Sequence, residues 1–187
     1  MSRVITALAL CLLCLAGWAQ TGTNPTGVSP NPELPVTPGP LLNSAQLERM
    51  PWCYSIDELM RNPAGVYKLS LKDRDLKTVG DEILKCTNLQ VLNLSGNALK
   101  TLPDDITRLQ NLEVLILTNN RIRRLPEGMK DLPNLQQLYL GRNKLVAVPA
   151  WVGGLGKLRT LDISYNQLTL YEVELLQARL PRCEITH

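Results

Sequence analysis

The chain has 187 residues and a formal net charge of +3, from 20 Lys and Arg against 17 Asp and Glu. So small an excess of positive charge excludes the basic footprint of a nucleic-acid-binding protein. The single histidine, His187, lies outside the regular segments of the chain, which argues against a Ser/His or Cys/His catalytic pair within them.

Residues 1–19 have the pattern of a secretory signal peptide. Arg3 supplies a positive start, residues 4–15 are mostly apolar, and Gly17-Trp18-Ala19 has the small-x-small form of a cleavage site. The apolar run is short for a membrane span, and its cysteines follow Leu and not the small residue that precedes a lipid-anchored Cys. We therefore expect export to the periplasm, the cell surface or the medium, without a membrane span or lipid anchor.

Residues 20–40 predict a disordered, Pro-rich linker. Six prolines lie among Gly, Thr, Ser and Asn, and large apolar side chains are too few to form a core. An extended spacer is the favoured interpretation. The PxxP spacing at residues 32–35 and 35–38 leaves a docking motif as the alternative.

Residues 41–65 predict a helical cap on the N-terminal side of the regular segments. Ser55 and Glu58 have the spacing of a capping box, and Pro63 ends the helix that follows. The apolar face of this helix, expected to cover the first regular unit, comprises Ile56, Leu59 and Met60, with Trp52 beside them.

Residues 66–168 repeat the frame LxxLxLxxNxL, shown most clearly by the segment LQVLNLSGNAL at residues 89–99. The units begin at residues 66, 89, 112, 135 and 158, a constant step of 23. A fixed period of this length indicates a solenoid, in which each unit buries its apolar face by stacking on its neighbours. The alternation of Leu92, Asn93 and Leu94 predicts a short strand in each unit, so that the stacked strands form a parallel sheet.

The asparagine of the frame comes where each strand ends and the chain turns inward. A side-chain amide can accept and donate hydrogen bonds at once, so it can satisfy backbone groups of a buried turn. The predicted structural ladder comprises Asn97, Asn120, Asn143 and Asn166. The first unit has Arg74 in this place.

The opposite side of each unit also repeats. Pro103, Pro126 and Pro149 recur at one position, which predicts turns or short helices there. Residues 169–187 predict a C-terminal cap made of one helix and a final strand over residues 182–186. The fold class is therefore α/β, a right-handed solenoid with a concave parallel sheet of about six strands and a convex side of short helices and turns.

The frame with its LPxxI continuation, as in Leu102, Pro103 and Ile106, resembles the short 23-residue class of the leucine-rich repeat family. The resemblance covers roughly residues 66–185. It implies a solenoid of the short, plain repeat class. Exported animal members carry several cysteines that flank the repeats, and their absence makes this chain more similar to bacterial members.

Three cysteines remain after removal of the predicted signal peptide. Cys86 and Cys183 occupy positions that hold Leu in other units, so they are expected to be buried and unreactive. A bridge between Cys53 and Cys86 is left open, because the cap and the first unit touch.

Strand residues that do not point inward line the concave sheet. The predicted partner-binding set comprises Val91, Asn93, Val114, Ile116, Gln137, Tyr139 and Asp162. Lys68 and Gln90 are expected to face the same way. An apolar centre with a polar rim is typical of a protein-binding patch. The alternative is that β-branched residues lie here because strands favour them.

Trp151, on the convex side, is a second candidate for partner binding, with packing along the ridge as the alternative. No Cys/His spacing typical of a metal site and no phosphate-binding loop is present, so neither enzyme activity nor a cofactor is expected. The leading hypothesis is a monomeric, exported module that binds a protein or peptide. A structural spacer of the cell envelope, without a discrete ligand, is the rival.

Overall fold

The computed structural model describes residues 38–187, which form seven short strands joined by helices and turns. The strands are β1 Trp52–Cys53, β2 Lys68–Ser70, β3 Val91–Asn93, β4 Val114–Ile116, β5 Gln137–Tyr139, β6 Thr160–Asp162 and β7 Glu184–Thr186. They lie in sequence order in one sheet, and each pair is parallel. The predicted α/β solenoid with a parallel sheet is confirmed. The predicted signal peptide and residues 20–37 of the predicted linker lie outside the described residues.

The 23-residue period sets the register of the sheet. Leu92 pairs with Leu115, which pairs with Leu138, so equivalent positions of successive units stand side by side. Each of these three leucines has 0% of its surface exposed. Burying one leucine side chain contributes roughly 1.5–3 kcal/mol, so the repeated column is a main source of stability.

The convex side is made of short helices, as predicted. After α3 (Asp81–Leu84), the next three units carry 3-10 helices at Asp104–Arg108, Glu127–Asp131 and Ala150–Gly154. Each 3-10 helix directly follows one of the repeated prolines, whose φ lies between −59° and −71°. The ring holds φ near this value and thereby starts each arc in the same direction.

The N-terminal cap differs in part from the prediction. The helix is α2 (Ile56–Arg61), and Ser55 accepts a hydrogen bond from the Glu58 backbone N–H at 3.1 Å. The Glu58 carboxylate, however, accepts from the Tyr54 N–H and not from Ser55. Leu59 is fully buried, whereas Met60 is 49% exposed and covers little of the first unit.

The cap also adds a strand, which raises the number from the predicted six to seven. Trp52 lies in β1, pairs with Lys68 of β2, and stacks on Tyr54 with ring centroids 6.4 Å apart. Two residues are too few to show a period, so the sequence did not reveal this strand. Arg74 ties the cap to the first unit, since its guanidinium donates to the Tyr54 carbonyl oxygen at 3.1 Å.

The C-terminal cap has the predicted helix and strand. Helix α4 (Leu170–Arg179) begins after Thr169, whose hydroxyl accepts from the Glu172 N–H, while the Glu172 carboxylate accepts from the Thr169 N–H. Strand β7 pairs with β6. The apolar side of α4 buries Val173 and Leu176, which closes the core at this end.

One further helix, α1 (Ser44–Arg49), is not indicated by the repeat pattern. Asn43 caps it, with Gln46 completing a reciprocal capping box. We call residues 38–49 the N-terminal strap. It includes residues 38–40, which the sequence assigned to the linker.

Gly128 marks a close approach between two neighbouring 3-10 helices on the convex side. A Cβ atom at Gly128 would overlap the backbone carbonyl of Asp104, which cannot rotate away. Gly128→Ala is expected to lower the free energy of unfolding by about 1–3 kcal/mol, in the range of other overpacking changes. Urea denaturation measures this loss.

Gly154 supplies a matched control for that substitution, because it lies in the 3-10 helix of the next unit and a Cβ there would have no atom within 4 Å. Gly154→Ala is expected to change stability by less than about 1 kcal/mol. Equal effects of the two substitutions would contradict the close approach at Gly128.

Candidate functional site

The seven predicted partner-binding residues stand side by side on the concave sheet. Two rows cross the strands in register. One row holds Val91, Val114 and Gln137; the other holds Asn93, Ile116, Tyr139 and Asp162. All seven are half-buried, so each presents part of its side chain to solvent. The structure therefore brings the whole set together.

The apolar members of this set form one connected group. Val91 pairs with Val114, and Ile116 pairs with Tyr139, while Val114 and Ile116 project on the same side of β4. Paired residues on neighbouring strands have Cβ atoms about 4.5–5.5 Å apart, close enough for contact. We call Val91, Val114, Ile116 and Tyr139 the concave apolar patch.

Tyr139 is held in place by Gln137 of the same strand. The Tyr139 hydroxyl donates to Gln137 Oε1, with the two oxygens 3.2 Å apart. This contact satisfies the hydroxyl at the polar end of the ring, and the ring itself remains available as a broad apolar surface. An aromatic ring with a polar tip suits the boundary between an apolar centre and a wet rim.

Asn93 and Asp162, polar members of the predicted binding set, each accept hydrogen bonds from a residue of their own unit. Asn93 Oδ1 accepts from the Ser95 N–H at 3.0 Å and from the Ser95 hydroxyl at 2.7 Å. Asp162 Oδ1 accepts from the Ser164 N–H at 2.9 Å. These oxygens shape the turn at the end of the strand, which reduces what they offer to a partner.

The N-terminal strap covers one end of the concave face, so Gln90 and Lys68, which were expected to line its exposed surface, are buried instead. Gln90 is 0% exposed and Lys68 only 8% exposed. The Gln90 amide accepts from the Leu42 N–H at 2.9 Å and donates to the Leu42 carbonyl at 3.0 Å. The Lys68 ammonium donates to the Glu48 carbonyl at 3.3 Å and lies 5.4 Å from the centre of the Trp52 ring.

A second set of asparagines, directly before the first leucine of the second, third and fourth frames, was not singled out by the sequence analysis. Its members are Asn88, Asn111 and Asn134. Asn88 and Asn134 donate to carbonyls 24 residues earlier, at Ala64 and Gln110. Asn111 instead donates to the Gly39 carbonyl of the strap at 2.9 Å. The recurrence of Asn at a step of 23 is the signal that could have identified this row.

A cavity of about 280 Å³ lies between helix α1 and the sheet. Its lining residues are Ser44, Leu47, Glu48, Lys68, Glu113, Val114, Gln136 and Gln137. Val114 and Gln137 belong to the predicted binding set, so the strap borders the candidate site directly.

The four ladder asparagines bridge successive units. Asn120 shows the pattern: its Oδ1 accepts from the Leu99 N–H, and its Nδ2 donates to the carbonyls of Leu94 and Leu117. Asn97, Asn143 and Asn166 make corresponding contacts one unit apart. Asn97, Asn120 and Asn143 are buried, and Asn166 is half-buried.

Trp151 lies apart from the concave face, in the 3-10 helix Ala150–Gly154 on the convex side. Its ring packs partly against the core. Its indole Nε1 is buried and has no hydrogen-bond partner among residues 38–187. The structure therefore does not join Trp151 to the concave set, and its partial burial against the core agrees with the packing alternative.

Cys53 and Cys86 are buried free thiols, so the bridge that the sequence left open between them is not formed. Cys86 is buried as predicted, whereas Cys183 is only half-buried, because it precedes the edge strand β7, which has no further unit of the described residues stacked on it. Burial, with a smaller effect from Cys53, raises the pKa of the Cys86 thiol to about 12. Burial likewise raises the pKa of Cys53 and Cys183. These thiols stay protonated at neutral pH, and a protonated thiol is a poor nucleophile.

Within the described residues, no group of three or more His, Cys, Asp or Glu side chains is placed to hold a metal ion. In the same part of the chain, no helix combines the length and the apolar character needed to cross a bilayer.

Comparisons with known proteins agree with this architecture. A family model described as leucine rich repeat matches residues 64–122 and 110–168. A solved leucine-rich repeat protein of Leptospira interrogans is similar, with 36% identity, a TM-score of 0.64, and coverage of 66% of this chain and 31% of that one. An internalin of Listeria monocytogenes aligns at 21% identity with a TM-score of 0.49, over 65% of this chain and 33% of the internalin. A search of curated proteins found no match. The chain thus spans about a third of the length of these solved proteins.

Proposed function

The chain belongs to the leucine-rich repeat family, and on that premise we propose that it is a non-catalytic module that binds a protein or peptide on its concave face. The observation that carries this proposal is the concave apolar patch, a connected group of partly exposed apolar side chains in the middle of the concave face of the sheet. Such a centre within a polar rim is how protein-binding surfaces are built. A contiguous apolar patch on this face favours partner binding over the spacer alternative.

The proposal includes export of the protein. Its support is the sequence of residues 1–19, with a positive start, an apolar stretch and a small-x-small site. The partner would then be met in the periplasm, at the cell surface or outside the cell. Mass determination of the protein isolated from its source tests this step, because cleavage after Ala19 leaves a chain that begins at Gln20.

Tyr139 is expected to contribute most to partner binding. Tyr139→Ala removes an aromatic ring from the edge of the concave apolar patch and opens no cavity in the core, since the ring faces solvent. We expect stability to change by less than about 1 kcal/mol and binding to weaken by about 2 kcal/mol or more. Ile116→Ser should behave similarly. Thermal melts and titration calorimetry measure the two effects.

The partner is sought by affinity capture from an envelope extract of the source, with the intact protein on one column and Tyr139→Ala on a matched column. A protein that is retained by the first and lost from the second supports the concave site. Equal retention on both columns, and on an Ile116→Ser column, would contradict it. A further column with Trp151→Ala then tests the convex side.

A further inference from the structure

The N-terminal strap is attached to the repeats mainly through its backbone. Gln90 contacts both the N–H and the carbonyl of Leu42, in the way that a neighbouring strand would. Asn88 accepts from the Gly39 N–H, and Asn111 donates to the Gly39 carbonyl. Three side-chain amides of two successive units thus hold an extended piece of main chain along the sheet.

Few apolar contacts accompany these hydrogen bonds. Helix α1 contains no buried residue, and Leu41 is 39% exposed. Leu42 and Leu47 are only half-buried. A segment with few buried apolar groups opens more easily than the core on which it lies. The strap therefore resembles a peptide bound to the surface of the solenoid more than a segment that contributes to its core.

The place where the strap docks overlaps the candidate binding site. Leu47 and Glu48 border the same cavity as Val114 and Gln137, and the Glu48 carbonyl accepts from Lys68 of the concave face. A partner that used the full width of the sheet would meet α1 before it reached β2 and β3.

We propose that the strap is a built-in competitor, which occupies the N-terminal part of the concave face and leaves it when a partner binds there. The expected effect of the strap on partner affinity rests on the binding function proposed above. The docking and release of the strap can be tested without that function. The occupant is residues 38–49 of this chain, and it is recognised through its main chain by Asn88, Gln90 and Asn111. The observed affinity for the partner equals the affinity of the uncovered face multiplied by the fraction of molecules in which the strap is undocked.

The release of the strap is tested with a synthetic peptide of residues 38–49, PGPLLNSAQLER, added to the intact chain. Leu42→Pro removes the backbone N–H that donates a hydrogen bond to Gln90 Oε1, and it leaves every residue of the repeats unchanged. The strap, weakened by the loss of this hydrogen bond, should then be docked for less of the time, and the peptide should bind where it has been released. A tether supplies an effective concentration on the order of millimolar, so the titration extends to that range. The side-chain amide signals of Gln90 in NMR spectra report the binding.

We expect the peptide to bind the Leu42→Pro chain at least about tenfold more tightly than the parent chain, because a strap docked for ~90% of the time masks the site to that extent. Leu41→Pro is the matched control, since the Leu41 N–H makes no hydrogen bond within residues 38–187. The control should behave as the parent does. Equal affinity for all three chains, or binding to none, would overturn the proposal.

Two further measurements separate a competitor from a structural cap. The melting temperature of Leu42→Pro should stay within a few degrees of the parent, and a collapse of the repeats would show that the strap is part of the fold. In the parent chain, the Leu42 amide should exchange with deuterium much faster than the Leu94 amide, which donates to Ile116 within the sheet. Equal protection would again overturn the proposal.

These results can be distinguished from failure of the proposed function. They need only the chain and its own peptide, so they stand even if Tyr139→Ala retains the partner. If the partner is captured through Tyr139 and the strap proves releasable, Leu42→Pro should raise partner affinity, while Leu41→Pro should not.

Discussion

Leu115→Ala is expected to lower the free energy of unfolding by about 2–5 kcal/mol. Leu115 lies in the middle of the central strand β4, with Leu92 and Leu138 as its register partners, and none of its surface is exposed. The shorter side chain loses transfer energy and leaves a cavity that two neighbouring units cannot close without moving. The midpoint and slope of urea denaturation measure the loss.

Ile116→Ala supplies the control, because the next residue along the strand points to the concave side. It removes a similar volume of apolar side chain from a half-buried position, so we expect a change within about 1 kcal/mol. Should the two variants unfold at the same midpoint, the assignment of inward and outward positions would be wrong for the entire sheet.

The effect of Leu115→Ala should not stay within one unit. Each unit of a solenoid is stabilised by its interfaces with its neighbours. A weakened third unit therefore affects the interfaces on both sides, and the two ends of the chain lose part of their coupling. A broader denaturation curve, with a smaller slope, is expected to accompany the lower midpoint.

The sequence predicted most parts of the fold that the 23-residue period controls, although the recurring Asn88, Asn111 and Asn134 were missed. The inward leucines, the strands around them and the short helices after Pro103, Pro126 and Pro149 all repeat, so each unit supports the interpretation of the others. The pattern also predicted which strand residues face outward. Val91 and Val114, for example, lie next to each other in the sheet because they hold equivalent positions.

Features that do not repeat escaped prediction. The strap docks through backbone groups and side-chain amides, which leave no apolar period in the sequence. Gln90 and Lys68 face the concave side as expected, yet the strap buries them. The repeat pattern predicts which side of the sheet a residue faces, but not which other segment covers that side. Strand β1 was missed for a related reason, because it is defined only by its pairing with β2.

One backbone feature repeats without a repeated residue type. The residue before each ladder position has a positive φ, between 53° and 69°, in every unit: Asp73, Gly96, Asn119, Arg142 and Tyr165. Glycine and asparagine are usual there, but arginine and tyrosine carry a cost on the order of 1 kcal/mol. The two are neighbours, with the Arg142 guanidinium 4.9 Å from the centre of the Tyr165 ring, and this contact offsets part of the cost.

The ladder provides the second large effect. Asn120→Ala is expected to cost about 1–3 kcal/mol, because it leaves the buried Leu99 N–H without its partner. The carbonyls of Leu94 and Leu117 each lose one of two donors, since Asn97 and Asn143 still donate to them. Asn166→Ala removes equivalent bonds from a half-buried position, where water can replace them in part, so its cost should be smaller. Urea denaturation of both variants gives the two values. If Asn166→Ala were as costly as Asn120→Ala, burial would not be what makes the ladder stabilising, and if neither variant lost stability, the turns would be held by the backbone alone.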